Sequence, residues 1–254
     1  MLQDSLTLLT KSSALSSEAF LGRALRYPLR LMPATFAMPI VTGKLRGKRW
    51  IVGSGIHRCW LGSYEQEKQR LISRAVQPGS VFYDIGANVG FYTLLGSLLV
   101  GKGKVFAFEP VPRNLSYLRQ HLRLNRIENV EVLELALSDK DETSLFELEE
   151  TGAMGRLSGK GNFTVQSAAL DSLLQGGKIL PPNYIKMDIE GAELLALRGA
   201  QECVRRYHPQ FFLATHGHDT HKECCRLLES WGYGIRVFEF TSDGLGEIVA
   251  VPRT

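Results

Sequence analysis

The feature that most constrains the fold is an alternation of short apolar runs with helical segments from residue 81 onward. Strands are predicted at VFYDI, KVFAFEP, VEVLELAL, YIKMDI and FFLATH, which cover residues 81–85, 104–110, 130–137, 184–189 and 211–216. Helices are predicted over residues 89–100, 113–125 and 191–206, with a last helix over about 219–231. Strands and helices in this order form parallel strands joined by right-handed crossovers. We therefore expect a doubly wound α/β sheet with helices on both faces.

Three segments depart from this rhythm. Residues 139–180 are polar and Gly-rich around two short β-like runs, SLFELE and FTVQSA, and a helical LDSLL. At the C-terminus, YGIRVFEF and EIVAVP predict a closing antiparallel pair. Residues 1–80 show no strong alternation, and prolines and glycines punctuate their middle. We expect residues 1–80 to be an N-terminal extension, a helical leader and a small β element that form a lid over the strand ends, and residues 81–254 to be the main domain.

Charge is distributed unevenly along the chain. Residues 1–80 contain 12 Lys and Arg against 4 Asp and Glu, and the rest contains 18 against 22, for a net charge of +4. A basic leader of this kind could bind a phosphate-bearing partner or an anionic membrane surface. The alternative is an amphipathic segment whose basic face is only solvated, and we favour this interpretation. The chain is 44% hydrophobic, which is too apolar for a disordered protein.

The sequence also indicates a cellular compartment. No window approaches ~18 uninterrupted apolar residues, so no transmembrane helix is expected. Asp4 and Lys11 interrupt the apolar stretch that a signal peptide needs. The four cysteines, at positions 59, 203, 224 and 225, form no CxxC pair. These features predict a reduced, cytoplasmic protein.

The most specific motif is Asp84-Ile-Gly86-Ala-Asn88-Val-Gly90, directly between a predicted strand and a predicted helix. Its glycines allow a tight turn and close approach of a ligand. A dinucleotide-binding loop has the spacing GxGxxG, which seats a pyrophosphate on the helix N-terminus, whereas this loop is DxGxNxG. An acid before the first glycine disfavours a pyrophosphate and favours a cationic amino-acid group. The missing GxGxxG also argues against a nicotinamide-dependent reductase.

A second acid follows at the end of the next predicted strand. Glu109 comes 23 residues after Gly86, where a carboxylate can accept hydrogen bonds from both ribose hydroxyls. S-adenosylmethionine satisfies both demands, because it has a ribose, an ammonium group and a sulfonium. The sequence therefore predicts an S-adenosylmethionine site.

Six motifs in order carry a resemblance to a known family. VFYDIGANVGFYT, AFEPVPRN, ALSD, LDSLL, IKMDIEGAEL and the upstream CWLGSYE resemble the FkbM family of class I S-adenosylmethionine-dependent methyltransferases. The resemblance runs from about residue 50 to 235, and residues 1–45 match no motif. It implies a Rossmann-like, mostly parallel seven-stranded sheet and O-methylation of a hydroxyl, often on a sugar or a polyketide-type small molecule.

The resemblance assigns cofactor-binding residues one by one. It matches the cofactor loop to Asp84, Gly86, Asn88 and Gly90, the ribose-binding acid to Glu109, and the acid near the adenine amino group to Asp139, with its neighbour Ser138 also among the cofactor-binding residues. It also implies that Tyr64 and Glu65 lie near the cofactor in the lid. Simpler interpretations are a helix cap for Asp84, a turn for Asp139 and a surface helix start for Tyr64 and Glu65.

The acceptor side is predicted at two neighbouring strand ends. An alcohol is a poor nucleophile at neutral pH, so its methylation needs a base close to the methyl group. Asp188 and Glu190 follow one strand, and His216 ends the next. We expect Asp188 and His216 to be the acid/base candidates and Glu190 to orient the substrate, with the base among them left open. Asp188 as a helix cap is the alternative.

A metal is the remaining question at this site. His216, His218 and His221, with Cys224 and Cys225 nearby, lack the second ligand pair of a structural zinc site. Mg2+ held by Asp188, Glu190 and His216 is more plausible, because some O-methyltransferases use magnesium to acidify the acceptor hydroxyl. A metal-free site is our first choice.

Two rival functions are considered beside a small-molecule or saccharide acceptor. A nucleic-acid methyltransferase that acts on base amines has a Pro-Pro-aromatic motif after this strand, whereas Pro181-Pro182-Asn183-Tyr184 precedes it. No RNA-binding signature is present, so no nucleic-acid partner is expected. A non-catalytic cofactor-binding protein of the same fold is the other rival, and the acidic and histidine residues at the strand ends argue against it.

Overall fold

The computed structural model describes residues 33–148, 155–157, 161 and 163–253. The helical leader predicted at the start of the extension lies outside these residues. Within them, no helix is both long enough and apolar enough to cross a bilayer.

The main sheet has seven strands and confirms the predicted α/β class. They are β3 (Val81–Ile85), β4 (Lys104–Phe108), β5 (Val130–Leu133), β10 (Tyr184–Met187), β11 (Gln210–His216), β12 (Tyr233–Phe240) and β13 (Leu245–Pro252). Their order across the sheet is β12-β13-β11-β10-β3-β4-β5. The five strands from β11 to β5 are parallel. β13 runs antiparallel to both β11 and β12, which confirms the predicted closing pair.

Helices cover both faces of this sheet because its strands are apolar on both sides. The helices of the main domain are α3 (Phe91–Val100), α4 (Pro112–Leu124), α5 (Leu170–Gln175), α6 (Glu193–Arg198), α7 (Gln201–Tyr207) and α8 (His218–Ser230). Tyr83 of β3 packs on one face in a core with Leu197 and Leu228. Its neighbour Phe82 packs on the other face with Leu94 and Leu118.

Two predicted elements are divided in the structure. The expected strand over residues 130–137 ends at Leu133, and residues 136–138 form a separate strand, β6 (Ala136–Ser138). The expected helix over residues 191–206 breaks between α6 and α7. The side chain of Asp171 explains this break, because its carboxylate accepts hydrogen bonds from the backbone N–H groups of Glu202 and Cys203 at 2.9 and 2.7 Å and so caps a new helix.

The segment that interrupts the alternation forms a second sheet. It contains β6, β7 (Glu142–Leu148), β8 (Gly155–Leu157) and β9 (Phe163–Ala169), in the order β6-β9-β7-β8. β7 and β9 contain the two β-like runs found in the sequence. This sheet lies beyond the carboxyl end of β5, on the side of the molecule where ligands bind in folds of this kind.

The described part of the extension packs onto the main domain. It contains the predicted small β element, an antiparallel pair of β1 (Ala37–Pro39) and β2 (Arg49–Ile51), followed by α1 (His57–Leu61) and α2 (Gln66–Ala75). Trp50 is fully buried, and its ring stacks on that of His121 in α4 with 3.9 Å between ring centroids. Because these residues share a core with α3 and α4, residue 80 does not mark a break in packing.

Candidate active site

A cavity of about 280 Å³ opens at the carboxyl ends of β3 and β10. From β3 the chain continues to β4 and β5 on one side, whereas β10 and β11 lie on the other, so this is the point where the strand order reverses. Ligands of doubly wound sheets bind at such a point. The lining residues come from the loops after β3, β4, β5 and β10, from the extension and from the second sheet.

The glycine loop forms one wall of the cavity. Gly86, Asn88 and the adjacent residues Ala87 and Val89 line it. Gly86 has a φ of 73°, and a Cβ at this position would overlap the carbonyl oxygen of Asp188. The loop can therefore lie against the end of β10 because residue 86 has no side chain. The next glycine, Gly90, precedes α3 and has a φ of 95°.

Glu109 lies at the end of β4 and faces the cavity from a largely buried position. One of its carboxylate oxygens accepts a hydrogen bond from the backbone N–H of Asn88 at 2.8 Å. The other accepts from the backbone N–H of Val111 at 2.9 Å and from the side-chain amide of Asn114 at 3.3 Å. Burial raises the pKa of Glu109, and these donors oppose the rise. The carboxylate is thus fixed in position and tied to the glycine loop.

Asp84 has a different environment from the one its sequence position suggested. Its side chain is fully buried and does not line the cavity. Its carboxylate lies 3.2 Å from the ammonium of Lys186 and accepts a hydrogen bond from the Thr93 hydroxyl at 2.6 Å. Lys186 also donates to the carbonyl of Gly86 at 2.9 Å. Asp84 therefore acts through Lys186 on the shape of the loop, and it does not cap α3, which begins after Gly90.

The loop after β5 supplies an apolar end to the cavity. Leu135, Ala136 and Leu137 line it, together with Phe146 and Gly155 from the second sheet. Ser138 and Asp139 follow directly but lie outside the cavity, and Ser138 is buried whereas Asp139 is exposed. The Ser138 hydroxyl donates to the Asp139 carboxylate at 3.2 Å. These two predicted cofactor-binding residues therefore come directly after Leu137, the last residue of this segment that reaches the cavity.

The predicted lid residues Tyr64 and Glu65 lie on the extension side of the cavity. Tyr64 lines it, and its ring packs edge-on against Phe91. Glu65 does not line the cavity; its carboxylate accepts a hydrogen bond from the Tyr92 hydroxyl at 2.8 Å and pairs with Lys68 at 2.9 Å. Burial raises the pKa of the Tyr64 hydroxyl far above its usual range, so this hydroxyl stays protonated.

The three predicted catalytic residues come together at the opposite end of the cavity from Leu137. Asp188 and Glu190 line the cavity, whereas His216 lies next to them but does not line it. The Nε2 atom of His216 lies 3.7 Å from an Asp188 carboxylate oxygen and 3.4 Å from a Glu190 oxygen. The structure thus assembles two carboxylates and one imidazole at adjacent strand ends.

A fourth side chain, Glu193, holds this group in place. It is fully buried in the first turn of α6, and one of its carboxylate oxygens lies 2.9 Å from Nδ1 of His216. The same oxygen accepts from the backbone N–H groups of Ile189 and Gly191. Burial alone lowers the pKa of His216, but Glu193, Asp188 and Glu190 outweigh it and raise the pKa to about 9. At neutral pH His216 is therefore an imidazolium, whose Nδ1–H donates to Glu193 and whose Nε2–H lies near Asp188 and Glu190.

The ionisation of Asp188 follows from the cations around it. Burial alone raises the pKa of Asp188, but Lys68, Lys186 and His216 outweigh it and lower the pKa. Its Oδ2 lies 3.6 Å from Nζ of Lys68, a residue of the extension that the sequence did not mark as functional. Asp188 is therefore a carboxylate at neutral pH.

The same three side chains form a group that a metal ion could use. Asp188, Glu190 and His216 each offer one ligand atom, and these atoms lie within 4.8 Å of one another. Mg2+ prefers an all-oxygen shell, and an imidazole suits it poorly. The close contacts of His216 with both carboxylates are those expected of a protonated imidazole without an ion, so the donor set does not favour Mg2+.

Solved structures share this architecture. An O-methyltransferase from Thermotoga maritima that depends on S-adenosylmethionine aligns with a TM-score of 0.51 and 12% identity, over 87% of this chain and 78% of its own. A methyltransferase FkbM from Methylobacillus flagellatus aligns with a TM-score of 0.50 and 20% identity, over 68% of this chain and 43% of its own. The fold is therefore that of the class I S-adenosylmethionine-dependent methyltransferases, as predicted.

Residues 84–235 match the model of the methyltransferase FkbM domain. The chain belongs to this family, which confirms the resemblance found in its motifs. A curated relative, the hexuronic acid methyltransferase AglP of Haloferax volcanii, is 31% identical over 144 residues. This alignment covers 56% of the chain and 58% of the relative, so the chain spans little more than half of the relative's length.

Proposed function

We propose that this protein transfers the methyl group of S-adenosylmethionine to a hydroxyl of a sugar. The proposal rests on one observation: a single cavity has a nucleoside-type binding surface at one end and a group of ionisable side chains at the other. A glycine loop joined to a buried carboxylate, Glu109, forms one end, and an ionised Asp188 beside His216 forms the other. The first end suits a nucleoside, and the second suits an acceptor that must lose a proton.

The residues of the first end fit S-adenosylmethionine. A carboxylate offers about four acceptor positions, and donors in the described part of the chain use three of those on Glu109. This leaves one position for a ribose hydroxyl, rather than the two expected from the sequence. Gly86 and Asn88 shape the wall along which the nucleoside and its amino-acid moiety would lie, and Leu135, Ala136 and Leu137 offer apolar contacts for adenine. When bound, S-adenosylmethionine supplies a methyl group on a sulfonium, which reacts by in-line displacement.

Asp188 is the proton acceptor in this proposal. It is ionised and lines the cavity, so it can accept the proton of a sugar hydroxyl placed within hydrogen-bond distance. His216 is already protonated and therefore serves to orient Asp188 and Glu190, whose carboxylate can hold a second hydroxyl of the acceptor. No metal takes part. Chelation with EDTA should leave turnover unchanged, and a loss that Mg2+ restores would show that an ion holds the acceptor.

A saccharide acceptor is supported by the relative named as a hexuronic acid methyltransferase. The geometry adds that two carboxylates at one end of the cavity suit vicinal hydroxyls, which donate hydrogen bonds to both. The four cysteines are all free thiols, which supports the further proposal of a cytoplasmic protein.

Substitution of Asp188 by Asn tests the chemistry. Asp188→Asn keeps the shape and removes the charge, so affinity for S-adenosylmethionine should be retained while turnover falls by about 10²–10⁴, the usual contribution of a general base. Turnover is measured with labelled S-adenosylmethionine and a panel of p-nitrophenyl glycosides of uronic acids, neutral hexoses and 6-deoxyhexoses. Normal turnover by Asp188→Asn would exclude this residue as the base.

A further inference from the structure

The ammonium of Lys68 is buried at the junction of the extension and the sheet. The Lys68 side chain is 2% exposed and lies among three carboxylates. It is 2.9 Å from Glu65 and 3.6 Å from Asp188, and it makes a closer contact with Glu247 of β13. The ring of Tyr92 lies 5.7 Å away. Removing an ammonium group from water costs free energy, and its attraction to the surrounding carboxylates must offset this cost.

Asp188 lies between two cations that approach it from different elements. Its Oδ1 lies 3.7 Å from His216 at the end of β11, and its Oδ2 lies 3.6 Å from Lys68 in α2. Each carboxylate oxygen thus faces its own positive group, and these two attractions oppose rotation of the carboxylate at the edge of the cavity. Glu193 holds His216 from behind, and Glu65 and Glu247 hold Lys68.

We propose that Lys68 is a positioning residue for methyl transfer, which acts through Asp188 and makes the extension a part of the active site. This inference rests on the proposed function. Lys68 does not line the cavity, so it does not touch the acceptor itself. Its contribution is to hold the Asp188 carboxylate turned toward the acceptor hydroxyl. A displacement of about 1 Å at a reacting group can reduce turnover by about 10²-fold.

The residues that complete this arrangement lie outside the matched family domain. The match covers residues 84–235, whereas Lys68 precedes it and Glu247 follows it. A network of charges therefore joins the extension, the core strand β10 and the last strand around one carboxylate. The described part of the extension is, on this account, required for turnover as well as for packing.

A double-mutant cycle between Lys68 and Asp188 tests the inference. Lys68→Met retains the aliphatic stem and removes the charge, and we expect kcat to fall by about 10- to 100-fold with a small change in the KM for S-adenosylmethionine. In the Asp188→Asn background the same substitution should have no further effect on kcat, because its effect passes through Asp188. If the double variant instead loses kcat by the product of the two single losses, the two residues act independently and the inference is wrong.

A matched control separates position from charge. Lys104 is the first residue of β4, at the end of the strand away from the cavity. Its side chain is 36% exposed and pairs with Glu131 at 3.6 Å. Lys104→Met should therefore leave kcat unchanged. Thermal unfolding of each variant shows that the assays compare folded proteins. Normal kcat in Lys68→Met, with an active wild-type enzyme, would also overturn the inference.

A crystal structure of Lys68→Met distinguishes failure of the inference from failure of the proposed function. If the wild-type protein methylates none of the glycosides, the proposed function fails, and the crystal structure still tests the role of Lys68. The inference predicts that the Asp188 carboxylate rotates toward His216 when the ammonium is removed. An unchanged Asp188 side chain would show that Lys68 does not position it.

Discussion

Acidification should weaken a specific hydrogen-bonded link between the extension and the cofactor loop. His121 of α4 is fully buried, and its two ring nitrogens have different partners. Its Nδ1 lies 2.7 Å from the carbonyl of Val89 in the glycine loop, and its Nε2 accepts from the backbone N–H of Ile51 in β2 at 3.0 Å. The neutral imidazole with the proton on Nδ1 satisfies both. A second proton on Nε2 would face the N–H of Ile51 and break that hydrogen bond.

The magnitude follows from the pKa of His121 in the folded and unfolded states. Burial lowers it from 6.5 to about 4, although the hydrogen bond to Val89 opposes the change. Because the folded pKa is the lower one, the unfolded chain binds the proton more tightly. The contribution of His121 to the free energy of unfolding is therefore nearly complete at pH 7, declines as pH falls below 6.5 and is lost by pH 4. A difference of 2.5 pKa units corresponds to about 3 kcal/mol.

The assay is urea-induced unfolding of the wild-type protein and of His121→Gln between pH 7 and pH 4. Glutamine keeps one donor and one acceptor but does not titrate, so the carboxylates that also contribute to acid denaturation cancel in the comparison. We expect the stability advantage of the wild-type protein to shrink by about 3 kcal/mol over this range. An advantage that does not vary with pH would refute the assignment of His121 as a neutral link.

Two further predictions concern the cofactor side. Glu109→Gln should weaken S-adenosylmethionine binding by about 1.5–3 kcal/mol in calorimetry, because a charged acceptor for the ribose is lost, and normal affinity would remove Glu109 from the site. S-adenosylmethionine should slow hydrogen exchange of residues 50–70, since Ser54, Ile56 and Tyr64 line the cavity, and unchanged exchange at saturation would show that this part of the extension is not a lid.

The sequence predicted the sheet well because its signals are local. The alternation of apolar runs and helices determines a parallel sheet, and the motif residues lie at strand ends, where ligands of such sheets bind. The break in the expected helix over residues 191–206 was missed because it depends on a distant contact. The caps that Asp171 provides to residues 202 and 203 cannot be seen in a segment read as one amphipathic helix.

At the candidate site, too, the residues that depend on distant contacts were not predicted from the sequence. Asp188, Glu190 and His216 were predicted to lie close together because each lies at or just after the end of a predicted strand, and the structure brings them together. Lys68 and Glu247 were missed because an isolated lysine in a helix, or an acid in the last strand, is usually solvent-exposed. Lys186 could have been recognised from the sequence, because a charged residue within a predicted buried strand needs a partner. In the structure that partner is Asp84. Glu193 offered a weaker signal, as an acid in the first turn of a helix directly after the loop with Asp188 and Glu190.

The most direct test of the account is to identify the product. The wild-type protein is incubated with 13C-methyl-labelled S-adenosylmethionine and the glycoside panel, and the products are examined by NMR. We expect a new O-methyl resonance from a methoxy group on a sugar ring carbon, formed together with S-adenosylhomocysteine and without added metal. A methyl group on nitrogen, on carbon or on a nucleic acid, or no transfer to any saccharide, would contradict it.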